Sequence, residues 1–206
     1  QGSGTATVSH GLTKAPEFML VKPLTTFQWD VYHHALDGFN GKNAYLVLNT
    51  DADEETSAST IWNNTWPTSE VFSLGSAWAD AAANDETIAY CWHGVDGYSK
   101  FGRYRGNGES NGPFVHLGFK PAMVIVKRAT GGDNSWNMWD NLRNSYNQVD
   151  TYLSPQTNGG EGSFVLGDFV SNGFKIQGTS GGLNTAGSIY VYAAWAESPF
   201  KYANAK

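Results

Sequence analysis

The feature that most constrains this chain is a set of short segments that recurs in the same order. Pro16-Glu17-Phe18-Met19-Leu20-Val21-Lys22 is echoed by Pro121-Ala122-Met123-Val124-Ile125-Val126-Lys127, an offset of 105 (121 − 16). Trp29-Asp30-Val31-Tyr32 returns as Trp136-Asn137-Met138-Trp139, and Tyr45-Leu46 as Tyr152-Leu153, both offset by 107 (136 − 29). Phe72-Ser73-Leu74 then meets Phe174-Lys175-Ile176, and Ile88-Ala89-Tyr90-Cys91-Trp92 meets Val191-Tyr192-Ala193-Ala194-Trp195. Self-similarity at a fixed spacing marks a repeated structural unit, so two β-rich pseudo-repeats are expected, over residues 1–98 and 99–206.

Each recurring segment is short, apolar or alternating, and bounded by Gly, Pro or Asn, which is the signature of strands. In the second half strands are expected over about 99–105, 122–128, 135–140, 151–154, 164–177 and 188–196, with a hairpin turn at Asn172-Gly173. The 24 Gly, 8 Trp, 10 Tyr and 11 Phe against 16% charged residues suit turns and strands rather than helices. The predicted fold is all-β, an antiparallel β-sandwich of jelly-roll or concanavalin-like kind built from two pseudo-repeats. Ser76 to Ala83 is the one helix candidate and is expected as a single turn. Only Thr5 to Val8 precede the Pro16 strand, whereas Tyr98 to Tyr104 precede the second half. The opening strand of the first unit looks clipped, which predicts a fragment of a longer chain or a partner at that edge.

Charge and cysteine content exclude several functions. With 13 Lys+Arg against 19 Asp+Glu the net charge is −6, and no basic run exists to neutralise phosphates, so nucleic acid is not an expected partner. Apolar runs of a few residues are too short to span a bilayer as a helix, so no membrane insertion is expected. Cys91 is the only cysteine and reads as a small buried hydrophobe. His33 and His34 are adjacent, which on a strand sends them to opposite faces and denies them a shared ion. Asp51-Ala52-Asp53-Glu54-Glu55 lacks the spacing of a calcium loop and reads as a solvated turn. No cofactor and no metal site is expected. Nucleophile, base and paired-carboxylate arrangements are not recognisable either. Asp140 and Glu197 are the only modest candidates for a glycan-cleaving pair, and solvated strand ends suit them better.

The aromatics remain. Trp29 with Trp136, Tyr32 with Trp139, and Trp92 with Trp195 recur at equivalent places, as scaffold residues would. Trp62, Trp66 and Trp78 have no counterpart in the second half. Trp62, Asn63, Asn64 and Trp66 lie in a stretch rich in Asn and Thr, where a flat apolar face is bordered by amide and hydroxyl groups. That combination suits a sugar ring, with C–H on its face and hydroxyls at its rim. Trp62, Asn63, Asn64, Trp66 and Trp78 are therefore the candidate ligand-binding residues. The alternative is that these tryptophans plug the open end of a sandwich.

The motifs His10-Gly11-Leu12, Trp62-Asn63-Asn64-Thr65 leading to Val71-Phe72-Ser73-Leu74-Gly75, Gly97-Tyr98-Ser99-Lys100-Phe101-Gly102, Tyr104-Arg105-Gly106-Asn107-Gly108, Gly118-Phe119-Lys120-Pro121 and Ala196-Glu197-Ser198-Pro199-Phe200-Lys201 resemble, in order, an uncharacterised β-rich domain family. That family is common in tailed-phage virion proteins, notably tail-fibre-like proteins of marine phages. His93 and Trp66 depart from its pattern. The resemblance implies a virion location after assembly in the host bacterial cytoplasm, and a non-enzymatic role. Expected partners are a host-surface glycan, other virion proteins, and further copies of the chain in a trimer or other homo-oligomer. A purely structural virion domain is the alternative, and a glycan depolymerase a more remote one.

Overall fold

The computed structural model describes residues 5–24, 27–56, 58–78 and 86–198. The chain divides into two compact units, residues 1–49 with 54–93, and residues 50–53 with 94–206. The boundary therefore falls five residues before the expected one, after 93 rather than 98, and a four-residue excursion of the first half belongs to the second unit.

In the first unit a four-stranded antiparallel sheet has the order β4-β3-β2-β6, formed by β2 (Phe18–Pro23), β3 (Asp30–His33), β4 (Leu46–Val47) and β6 (Thr87–Trp92). A two-stranded sheet joins β1 (Ala6–Ser9) to β5 (Val71–Leu74). Met19, Val21 and Tyr32 from one sheet meet Phe72 and Leu74 from the other, with Ala58, Ile61 and Trp62 completing the core. Ile61 and Trp62 are delivered by α1 (Ser59–Trp62), a single helical turn that the strand pattern does not announce.

The second unit is a fuller sandwich. One sheet has the order β10-β9-β14-β7, from β7 (Ser99–Arg105), β9 (Pro121–Arg128), β10 (Asn137–Asp140) and β14 (Ile189–Ala196). The other has the order β11-β12-β13-β8, from β8 (Asn111–His116), β11 (Val149–Tyr152), β12 (Gly162–Val170) and β13 (Gly173–Gln177). Their facing sides bury Val124, Val126, Trp139, Tyr190 and Tyr192 against Val115, Leu166, Phe169, Phe174 and Ile176. The ring of Phe174 is edge-on to Tyr104, Trp139 and Tyr192, at centroid distances of 6.3, 5.6 and 5.6 Å. Such contacts add to the area that the rings bury. The fold is thus the expected all-β, antiparallel sandwich.

Ladder positions agree between the first unit's four-stranded sheet and the β10-β9-β14-β7 sheet of the second. Met19 pairs with Tyr32 and with Cys91, and Val124 pairs with Trp139 and with Ala194. The aligned blocks that begin at Pro16, Trp29, Tyr45 and Ile88 occupy the same rungs as their counterparts, whereas Phe72–Leu74 pairs only with β1 and Phe174–Ile176 lies between two strands. β8 is not among the expected strands, and its Gly112 and Pro113 are residues that strand interiors usually lack. It is an edge strand, where a missing N–H is tolerated. The β12–β13 hairpin closes over Ser171-Asn172, one residue earlier than expected, and Gly173 is the first paired residue. A Cβ on Gly173 would collide with the Val115 carbonyl, so close approach of β8 is what demands glycine here.

The helix candidate is a 3-10 turn, Ser76–Trp78, and the rest of it, 79–83, lies outside the described residues.

Candidate functional site

The connection from α1 to β5 is fixed by its own hydrogen bonds. Trp62 N–H donates to the Ala58 carbonyl (2.7 Å), and Thr65 N–H closes back on the Trp62 carbonyl (3.1 Å). Between them Asn63 and Asn64 have φ of 52° and 47°, the left-handed region that asparagine enters more readily than most side-chain-bearing residues. This reversal ends the helix and turns both amide side chains to solvent. Further along, the Thr68 hydroxyl accepts from the N–H groups of Glu70 and Val71 (3.1 and 3.0 Å). His10 Nδ1 accepts from Leu12 N–H (3.1 Å), which leaves Nε2 as the N–H that donates to the Thr68 carbonyl (3.0 Å). The residue that follows β1 thus ties down the far end of the loop.

Within this frame the predicted residues separate. Trp62 is 1% exposed. Its Nε1 donates to the Ala44 carbonyl (3.1 Å) and its ring meets Tyr32 edge-on at 5.8 Å. The expectation that Trp62 presents a face to ligand is corrected: its neighbours in sequence are polar, but the helical turn aims Ile61 and Trp62 inward together. Trp78 is half-buried, its Nε1 donating to the Ile61 carbonyl (3.1 Å) and its ring 6.2 Å from that of Phe27. It braces the start of the loop and keeps part of its surface outside. Trp66 is 43% exposed, on a loop where Asn63, Asn64 and Thr65 are exposed too. What survives as a surface is one exposed indole, two amides and a hydroxyl on a rigid turn.

A second aromatic surface escaped the sequence reading. Tyr90 stacks on Trp92 (6.1 Å, 15°) along the edge strand β6 of the first unit's sheet, and Trp92 lies 5.3 Å from Phe18, which is buried on the inner strand β2. Tyr90 stands where Ala193 stands in the second unit, and that difference was the available signal.

The remaining polar candidates are committed to structure. His33 is buried, and its Nδ1 accepts from Ala35 N–H (3.2 Å). His34 lies beyond the end of β3, so opposite-face geometry does not hold and the two rings come within 5.3 Å. Asp53 accepts from Gly132 N–H (2.7 Å) and Glu54 from Asp37 N–H (2.9 Å), so the acidic run is split between the units. Among the described residues no three His, Cys, Asp or Glu groups converge to hold a metal. Asp140 pairs with Arg143 and Glu197 with Lys120.

Two buried groups are electrostatically displaced. Burial pushes the Asp30 carboxyl up to about 7, against the hydrogen bond from Gln28 Nε2 (2.7 Å). Its Oδ2 finds no donor among the described residues. Burial also pulls the Lys127 amine down to about 8, opposed by the nearby Asp53, Asp133 and Asp51. Lys127 Nζ donates to the carbonyls of Arg128 (2.7 Å) and Asp51 (3.2 Å).

Fold and surface together define an antiparallel β-sandwich protein with exposed aromatic side chains that include Trp66 on a loop and Tyr90 on a sheet edge. The chain belongs to the family described as a domain of unknown function, DUF7483, whose model matches residues 1–199. No curated protein and no solved structure matches it.

Proposed function

We propose that this protein is a non-enzymatic binding domain that recognises a host-surface glycan, displayed on a tailed-phage virion. The observation that carries the recognition is Trp66, exposed on a hydrogen-bonded loop beside Asn63, Asn64 and Thr65. A sugar ring stacks its C–H face on the indole and bonds its hydroxyls to the amides. The ordered loop lowers the entropy lost on binding. The virion setting is supported by the motif resemblance across most of the chain. Single sites of this kind are weak, and repeated display in a trimer or other homo-oligomer multiplies their strength.

The test is a glycan array probed with multivalently displayed protein, wild type beside Trp66→Ala, with thermal melting of both. Binding lost in a mutant that melts like wild type supports the reading. Silence from the wild type under multivalent display refutes it.

A structural virion role is the second reading, favoured by Tyr90 stacked on the half-buried Trp92 along a sheet edge, which suits docking onto another virion protein. It predicts that Trp66→Ala leaves cell binding untouched and that Tyr90→Ser disrupts assembly.

A further inference from the structure

Among the described residues the first unit's four-stranded sheet stops at β6, and the second unit shows what can lie beyond such a strand. There β14 holds the rungs that β6 holds, and its far side carries β7 in an antiparallel register from Ile189↔Arg105 to Trp195↔Ser99. Backbone direction fixes which residues of β6 face outward. Leu24 N–H donates to the Glu86 carbonyl (2.8 Å), so by two-residue alternation Ile88 and Tyr90 turn their backbone groups toward β2. Thr87, Ala89 and Cys91 therefore aim N–H and C=O at the other side. Their counterparts in β14 are Tyr190, Tyr192 and Ala194. These alternate in phase with the Ser188 carbonyl, which accepts from Gly106, and the Ala196 N–H, which donates to Tyr98, both on the β7 side.

Among the described residues no strand pairs with this side of β6. Ile88 and Tyr90 are 37% and 43% exposed, whereas Val191 and Ala193 on the same rungs of β14 are each 2% exposed. Thr87-Ile88-Ala89-Tyr90-Cys91-Trp92 has no charge and no proline, the usual protections of an edge.

We propose that β6 accepts a donor strand from a partner polypeptide, antiparallel and in the register that β7 uses against β14. Inverted side-chain sizes give the chemistry of that strand. In the second unit the inward Tyr192 is opposed by Gly102, whose Cβ would lie 2.7 Å from the Tyr192 hydroxyl, and the outward Ala193 is opposed by Phe101. In β6 the inward residue is Ala89 and the outward one is Tyr90. The donor thus carries a large apolar residue opposite Ala89, filling space that a tyrosine takes in the second unit, and a small residue opposite Tyr90. The Phe101-Gly102 order of β7 is the reverse of this. A second copy of β6 is no better, because a two-fold axis through Ala89 sets alanine against alanine. The partner is accordingly a different strand.

The test titrates the intact protein with two labelled peptides, one of residues 98–106 and one carrying Phe101→Ser and Gly102→Leu. Anisotropy gives affinity, and hydrogen exchange gives the protection of Thr87, Ala89 and Cys91. The exchanged peptide is expected to bind about tenfold or more tighter and to slow exchange at those three amides. Ala89→Pro removes an N–H on the open side and leaves the β2 ladder intact, so it is expected to melt like wild type and lose binding by about tenfold or more. Equal or absent binding of the two peptides overturns the proposal. So does an unaffected Ala89→Pro, and so does concentration-dependent self-association with the three amides already protected.

Discussion

Asp30 and Asn137 occupy the same rung of their respective sheets, Asp30 opposite Val21 and Asn137 opposite Val126. Both are buried, but Asn137 is neutral and donates through Nδ2 to the Ser135 carbonyl (3.0 Å), while Asp30 carries a carboxyl with an unmatched oxygen. A charge on Asp30 is costly where a neutral amide is not.

Stability of the first unit should therefore depend on pH. Below about pH 4 folded and unfolded chains both hold the Asp30 proton. Between the ordinary 3.8 and about 7 only the folded chain holds it, so stability falls as pH rises and levels off above 7. The full span of roughly three pK units corresponds to about 4 kcal/mol. Asp30→Asn is expected to remove this slope and to melt higher than wild type at pH 8, as calorimetry from pH 4 to 8 would show. Equal slopes would contradict the burial argument.

Lys127 should give the opposite trend at higher pH. Its amine is held near 8 in the fold against 10.5 in the open chain, so stability rises from pH 8 to 10.5, where the unfolded chain alone stays protonated. About 3 kcal/mol is at stake. Lys127→Met should flatten the slope over that window in denaturant titrations.

The two tryptophans of the α1–β5 segment are expected to separate fold from surface. Trp62→Ala empties a core site and should cost about 3–5 kcal/mol, seen as a lower midpoint in urea. Trp66→Ala should change stability by no more than about 0.5 kcal/mol. Comparable losses from both would place the Trp66 indole in the core.

Gly102 lies flat against the Tyr192 ring, with room for hydrogen but not for a methyl group. Gly102→Ala should destabilise the second unit by about 1–3 kcal/mol, with partial recovery when Tyr192→Phe removes the nearest atom. Thermal melts of the single and double variants would report this.

The sandwich was legible because apolar blocks such as Met123 to Val126 carry their partners' spacing with them. Less legible was anything decided by a single turn. Ile61-Trp62 is an apolar pair inside a polar stretch, and one helical turn of four residues sets its phase, too short for a periodic pattern to register. Trp66 sits two residues past the left-handed pair, and its exposure agrees with the polarity around it. Tyr90 was overlooked for another reason: whether a strand lies at the edge of a sheet depends on a neighbour distant in sequence.

The excursion of residues 50–53 has a consequence for how the molecule can be divided. A single cut between 93 and 94 does not release two whole units, because the second would lose the backbone carbonyl that Lys127 needs and the Asp53 carboxylate that binds Gly132. During synthesis the ribosome delivers this four-residue stretch long before the strands that will receive it. The second unit thus waits for its last strands with one of its outer segments already emerged, and any attempt to subclone it must carry residues 50–53 along.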